Sequence, residues 1–93
     1  MQYITTPNRI YLEHEGEELA EITFPEREPR VFVIDHTFVD DRLRGQGIAS
    51  ELVRRAVEDI KAQGGTVRAT CSYAIAWLQR HQDSLPCGQE ATK

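Results

Sequence analysis

The chain has 93 residues, of which 40% are hydrophobic and 28% are charged, and its formal net charge is −4. A chain of this length has room for one domain with a modest core. The acidic balance argues against a general nucleic-acid binder, which normally presents a basic face. Since no apolar run reaches membrane-spanning length and no signal-peptide pattern opens the chain, we expect a cytoplasmic protein that binds neither nucleic acid nor membrane.

The two cysteines, Cys71 and Cys87, exclude two further classes of protein. They lack the spacing of metal ligands, and they are too few for a disulfide framework. We therefore expect a reduced setting and no bound metal.

The first half of the chain predicts three antiparallel strands. Apolar and polar residues alternate over 9–14, Gly16 marks a hairpin turn, and 19–24 has the pattern of the returning strand. A proline-bounded turn leads to a third strand, 31–39. Its first residues, Val31–Ile34, are apolar on both faces, which indicates a central strand covered on two sides. Three strands joined by short turns form an antiparallel meander.

The second half predicts a crossover unit and a last helix. Apolar residues recur at three- and four-residue spacing over 48–60, which indicates an amphipathic helix that Gly64-Gly65 ends. The β-type run 66–71 then completes a right-handed βαβ unit with the third strand. Ser72 can cap a final short helix.

The segment 42–49, Arg-Leu-Arg-Gly-Gln-Gly-Ile-Ala, joins the predicted third strand to the first helix. Such a junction leaves backbone N–H groups unpaired at the positive end of the helix dipole, which suits an anion such as a pyrophosphate. Gly45 and Gly47 have no Cβ, so an anionic ligand can approach the backbone closely. Arg42 and Arg44 add charge that can pair with phosphate oxygens.

Two other glycine-rich motifs that bind phosphate do not fit this sequence. A dinucleotide-binding loop would have a third glycine where this chain has Ser50, and a P-loop would need Gly-Lys-Ser/Thr, which is absent. The remaining alternative to an anion site is a tight turn that needs glycine for its conformation alone.

Arg42-x-x-Gly45-x-Gly47, placed between this strand and this helix, resembles the Gln/Arg-x-x-Gly-x-Gly/Ala signature of the GCN5-related N-acetyltransferases (GNAT), which bind the pyrophosphate of acetyl-CoA in this way. Residues 31–71 follow the core of that family. The short length and Cys71-Ser72-Tyr73 resemble its small stand-alone YjdJ-type subgroup.

The resemblance implies a minimal GNAT-like fold of the α+β class, with an antiparallel β meander, a βαβ crossover and a short C-terminal helix. Residues 1–81 would be the single acetyl-CoA-binding domain, and 82–93 a polar C-terminal tail. The central strand and the next strand would splay apart to admit the pantetheine arm, which would bond the Phe38-Val39 end like an added strand. The residues expected to bind CoA are Phe38, Val39, Arg42, Arg44, Gly45, Gln46, Gly47, Ile48 and Ala49.

Two residues are candidates for catalysis. Cys71 stands at the carboxyl end of the second parallel strand, where a helix N-terminus favours the thiolate; the alternative is a small buried hydrophobe. The family commonly has asparagine at this position. His36 is suited to proton transfer near neutral pH, and Asp35 is the other ionisable group there; the alternative for each is an ordinary polar strand residue. The family's tyrosine acid matches Leu78 here, which leaves the acid open.

The resemblance implies acyl transfer from acetyl-CoA, as cosubstrate, to an amine acceptor that the sequence does not identify. The alternative is a CoA- or acetyl-CoA-binding module with little or no transferase activity, because the family's usual acceptor-recognition segments are missing. A third hypothesis is an interaction protein that kept the fold and lost the ligand. We expect a monomer or a weak dimer.

Overall fold

Seven strands and two helices make up residues 1–81, the part of the chain that the computed structural model describes. The predicted tail and its Cys87 lie outside the described residues. The strands are β1 (Gln2–Thr6), β2 (Arg9–His14), β3 (Glu17–Thr23), β4 (Glu26–Glu28), β5 (Val31–Ile34), β6 (His36–Val39) and β7 (Thr66–Ala69), and the helices are α1 (Ile48–Ala62) and α2 (Ser72–Arg80).

An antiparallel sheet with the order β1-β2-β3-β6 forms the larger part of the fold. The hairpin between β2 and β3 turns at Glu15 and Gly16, which both have positive φ angles, 51° and 81°. Two positive φ angles match the twist of a tight hairpin. Apolar residues that alternate along both strands therefore meet on one face, as in the buried pair Ile10 and Ile22. The predicted α+β meander is confirmed.

The predicted third strand is wrong as a single element, because 31–39 forms two strands in two different sheets. β5 pairs in parallel with β7 and antiparallel with β4, whereas β6 pairs antiparallel with β3. Asp35 lies at the break. Its N–H donates to the carbonyl of Thr23 at 3.2 Å, and its carboxylate accepts a 2.5 Å hydrogen bond from the Thr23 hydroxyl. The two halves therefore diverge from one point.

Two short strands were not predicted. β1 is the edge strand of the larger sheet, and β4 lies in the segment between the prolines that we predicted to be a turn. All three residues of β4 are charged and exposed. An edge strand with few buried side chains carries little apolar alternation, so periodicity does not reveal it.

Both helices contribute to one core with the inward faces of the sheets. Val31 and Val33 are only half-buried, so the interpretation of β5 as a strand covered on both faces is wrong. The buried side chains of the helices are Leu52, Val53, Ala56, Val57, Ile60, Ala74, Trp77 and Leu78.

The predicted stop of α1 at Gly64-Gly65 is confirmed in detail. Gly64 has a φ of 74°, its N–H bonds the carbonyl of Lys61 at 3.0 Å, and the N–H of Gly65 bonds the carbonyl of Ile60 at 2.9 Å. These two bonds form a Schellman motif. Gly65 also lies under a ring, since a Cβ at this position would be 2.7 Å from Cε1 of Phe32.

Gly65→Ala should therefore lower the free energy of unfolding by roughly 1–3 kcal/mol, because the added methyl group displaces a core ring. Urea unfolding followed by circular dichroism measures this change. Lys61→Ala, an exposed change in the same turn, should stay within about 0.5 kcal/mol of the parent. Equal stability of both variants would contradict the close contact.

Candidate functional site

A pocket of about 490 Å³ lies at the N-terminus of α1, beside β6 and the start of α2. Its lining combines loop glycines, one arginine, hydroxyl groups and apolar side chains. The lining residues are Thr37, Val39, Leu43, Arg44, Gly45, Gly47, Ile48, Ala49, Ser50 and Tyr73.

The loop that forms one wall needs its glycines for the backbone conformation. A 3₁₀ turn over Asp41–Leu43 follows β6, and Gly45 and Gly47 then take φ angles of 83° and 74°. These are left-handed conformations that residues with a Cβ adopt only with strain. A Cβ at either glycine would meet no other atom of residues 1–81 within 4 Å, and both glycines line the pocket.

The N-terminus of α1 presents unpaired backbone donors. Gly47 is the N-cap and provides no side-chain cap, and the first helical bond runs from the N–H of Glu51 to the carbonyl of Gly47 at 3.0 Å. The N–H groups of Ile48, Ala49 and Ser50 precede this bond and have no partner in the helix ladder. All three residues line the pocket. The helix dipole adds positive potential, so the pocket can hold an anion here.

The two arginines of the loop have different surroundings. Arg42 donates to Asp40 at 3.0 Å and to Glu17 at 2.8 Å, and it does not line the pocket. Its hydrogen bonds lower the pKa of Asp40 to about 2, and the same contacts raise the pKa of Arg42. Arg44 lines the pocket, and its partner at 2.8 Å is Asp41, whose side chain is 86% exposed. Arg44 can therefore exchange this partner for a ligand.

The opposite wall is an open strand edge. β6 is the last strand of its sheet, and the N–H of Asp40 bonds the carbonyl of Leu19 in β3 at 2.8 Å. Alternation in an antiparallel ladder then turns the backbone groups of Phe38 toward β3 and those of Thr37 and Val39 away from it. Because β7 pairs with β5 and not with β6, these outward groups face the gap between the two sheets.

Two residues predicted to be functional lie on the other face of β6. Thr37 and Val39 line the pocket, so His36 and Phe38, which alternate with them, point to the opposite face. Phe38 is 45% exposed. Nε2 of His36 lies 3.6 Å from Oε1 of Glu21. The roles predicted for His36 and Phe38 stay predictions.

Cys71 lies at the start of α2, next to the pocket but not among its lining residues. It is the N-cap of α2, and its half-buried Sγ is 3.6 Å from the hydroxyl oxygen of Thr37. Its N–H bonds the carbonyl of Ile34 at 3.3 Å, at the end of β5. The structure thus brings the thiol across the gap to the inner side of β6.

Of the residues predicted to bind CoA, Val39, Arg44, Gly45, Gly47, Ile48 and Ala49 line the pocket, and Phe38, Arg42 and Gln46 do not. Four lining residues were not among the predicted site residues: Thr37, Leu43, Ser50 and Tyr73. The period of two in β6 could have added Thr37 to Val39, and the helical period could have added Ser50 to Gly47. No such signal exists for Tyr73, since only the fold brings α2 to this wall.

Residues 1–81 contain no group of three or more His, Cys, Asp or Glu side chains that could hold a metal ion. Neither of their helices is long and apolar enough to cross a membrane.

Several solved protein structures resemble the chain. No curated protein matches it. A GCN5-like protein from Staphylococcus aureus, solved by NMR, superposes with a TM-score of 0.78 at 28% identity, covering 99% of this chain and 90% of that one. An IAA acetyltransferase from Bacillus cereus (TM-score 0.63, 23% identity, 77% of this chain and 51% of that one) shares the fold. So does a ribosomal-protein-alanine N-acetyltransferase from Brucella melitensis (0.55, 18%, 77% and 60%).

The sequence model of the GCN5-related N-acetyl-transferase family matches residues 9–85, which are most of the chain. The matched segment includes both walls of the pocket. The superposition on the Staphylococcus aureus protein extends over nearly the whole chain. The chain therefore belongs to the family of GCN5-related N-acetyltransferases.

Proposed function

We propose that the protein transfers an acetyl group from acetyl-CoA to an amine and holds the CoA pyrophosphate at the N-terminus of α1. The observation that carries this proposal is that the N–H groups of Ile48, Ala49 and Ser50, which open onto the pocket, have no hydrogen-bond partner within residues 1–81. Backbone donors of this kind, at the positive end of a helix, suit phosphate oxygens. Family membership supplies the reaction class.

Within the loop, we assign the phosphate contacts to Arg44 rather than to Arg42. The family signature fits the chain a second time, two residues later, as Arg44-x-x-Gly47-x-Ala49. All three of these residues line the pocket, whereas Arg42 does not. Arg42 already has the carboxylates of Asp40 and Glu17 as partners. Its role in this proposal is to hold the loop against the sheet.

The pantetheine arm would run along the open edge of β6. The backbone groups of Thr37 and Val39 face the gap, and an amide-containing chain can bond them as an added strand does. This path leads from the phosphate site at Gly47 toward Cys71. The thioester carbonyl would then lie near the point where β5 and β6 separate.

At that point an amine can attack the thioester carbonyl, and the CoA thiolate leaves. Holding both reactants in one cleft replaces a bimolecular encounter, and N–H donors can stabilise the developing oxyanion. In a second route, the thiolate of Cys71 attacks first, releases the CoA thiolate and carries the acetyl group as a thioester. The proximity of Sγ to Thr37, 3.6 Å, supports this second route.

One observation favours the alternative of a CoA-binding module without transfer activity. Among the residues that line the pocket, only Arg44 and Tyr73 carry ionisable side chains, and neither is a ready base near neutral pH. His36, the predicted base, lies on the other face of β6. The experiments below separate the two functions.

Gly47→Val should abolish CoA binding while the fold is kept, because the side chain would occupy the space above the unpaired N–H groups. The positive φ adds about 1–2 kcal/mol of backbone strain. Gly16→Val is the matched control, since Gly16 has a similar φ of 81°, no atom of residues 1–81 within 4 Å of its Cβ, and no place among the lining residues of the pocket. Calorimetric titration with CoA measures both. A Gly47→Val variant that binds CoA like the parent would refute the anion site.

Arg44→Ala should weaken CoA binding about 10- to 100-fold, the range for losing a hydrogen bond to a charged group. Arg42→Ala should have the smaller effect, because its partners are carboxylates of the protein. Raising the ionic strength should weaken the binding of CoA to the parent, and it should weaken the binding of CoA to Arg44→Ala less. Titrations at low and high salt measure this, and a larger loss in Arg42→Ala would reverse the assignment.

Incubation with acetyl-CoA should leave an acetyl group on Cys71 and none on Cys87, as mass spectrometry of the intact and digested protein will show. Cys71→Ala should bind CoA nearly normally, because the pyrophosphate loop is unchanged, but should lose this self-acetylation. If that variant still acetylates amines at the parent rate, the amine attacks directly. If neither protein acetylates itself or a broad panel of amines, the binding-module function replaces the transferase.

A further inference from the structure

Trp77, in α2, makes a hydrogen bond to the N-terminal turn of α1. Its Nε1 donates to the hydroxyl oxygen of Ser50 at 2.8 Å. Ser50 is the third residue of α1 and lines the pocket, whereas Trp77 is only 2% exposed. This bond connects the buried core to the proposed phosphate site.

The chemistry of the two groups determines the direction of the bond. An indole N–H can only donate, so the Ser50 oxygen must accept, and the hydroxyl hydrogen of Ser50 is left for another acceptor. Within residues 1–81, the bond from Trp77 is the one hydrogen bond that this side chain makes. Because Ser50 lines the pocket, its proton can reach an acceptor there.

The indole ring itself is held in place. His81 stacks on it with a centroid separation of 4.0 Å and an interplanar angle of 16°. Nδ1 of His81 also lies 2.9 Å from the carbonyl oxygen of Trp77. The other surroundings of the ring belong to the hydrophobic core. Trp77 therefore cannot turn its N–H away from Ser50 without disturbing the packing of α2.

We propose that the Ser50 hydroxyl donates a hydrogen bond to a phosphate oxygen of bound CoA, and that Trp77 is a positioning residue that fixes this hydroxyl. The inference rests on the proposed function, because it takes the CoA pyrophosphate to lie at the N-terminus of α1. It adds a side-chain donor to the backbone donors of Ile48 and Ala49. It also couples α2, which begins beside Cys71, to occupation of the phosphate site.

The chain has a single tryptophan, so ¹⁵N-labelled protein gives one indole N–H resonance, which reports directly on this bond. Titration with CoA should move that resonance, and titration with pantetheine, which lacks the phosphates, should not. In Ser50→Ala the indole response to CoA should disappear, and the CoA affinity should fall roughly tenfold. The affinity for pantetheine should stay unchanged.

Ser72→Ala is the matched control, because Ser72 is an exposed serine in the first turn of α2 that does not line the pocket. It should retain the indole response and the CoA affinity of the parent. Trp77→Phe should reproduce the effect of Ser50→Ala on CoA binding. If Trp77→Phe does not fold, Ser50→Ala decides alone, since its side chain is small and lies at the pocket surface.

Two results overturn the inference and leave the proposed function standing. One is a CoA complex in which the Gly47 N–H resonance moves and the indole resonance does not. The other is a Ser50→Ala variant that binds CoA as tightly as the parent, or that loses CoA and pantetheine affinity equally. A titration in which CoA moves no resonance overturns the proposed function, and this inference with it.

Discussion

The chain passes from one sheet to the other at Asp35, and the open edge of β6 beside the pocket follows from this change. The carboxylate of Asp35 accepts from the Thr23 hydroxyl at 2.5 Å and from Arg27 at 3.3 Å, and its N–H bonds the Thr23 carbonyl. These contacts anchor the residue to β3 while β5 continues in the other sheet. Because β7 pairs with β5 in the other sheet and not with β6, β6 keeps an open edge. The pocket at the N-terminus of α1 lies beside that open edge.

The charge around the cleft is divided between two tasks. Arg42, with Asp40 and Glu17, forms a closed ion-pair group that ties the loop to the hairpin. Exposed ion pairs of this kind contribute little stability, so their effect here is to orient the loop. Within the described part of the chain, Arg44 has a single, highly exposed partner, Asp41, and lies on the pocket wall. A ligand phosphate competes more easily for Arg44 than for Arg42.

The two faces of β6 separate the chemistry that the protein can perform. Thr37 and Val39 face the pocket, and Thr37 lies near Cys71, whereas His36 and Phe38 face the side that carries Glu21. A thioester that lies along β6 would be reached from the pocket side by Cys71. Any contribution of His36 would come from the other side, through the gap where the strands diverge. Whether Cys71 or the amine attacks the thioester first would therefore depend on the face of β6 from which the amine approaches.

The local features of this protein follow from its sequence. Hydrophobic periodicity and turn residues predicted β2, β3, α1, β7 and α2, and the glycine loop, for which an anion site is predicted, lines the pocket. Tertiary structure alone decided that 31–39 divides at Asp35, that Arg44 faces the pocket, and that Trp77 reaches Ser50. The physical reason is that periodicity reports which face of an element is buried. It carries no information on which partner strand or helix does the burying.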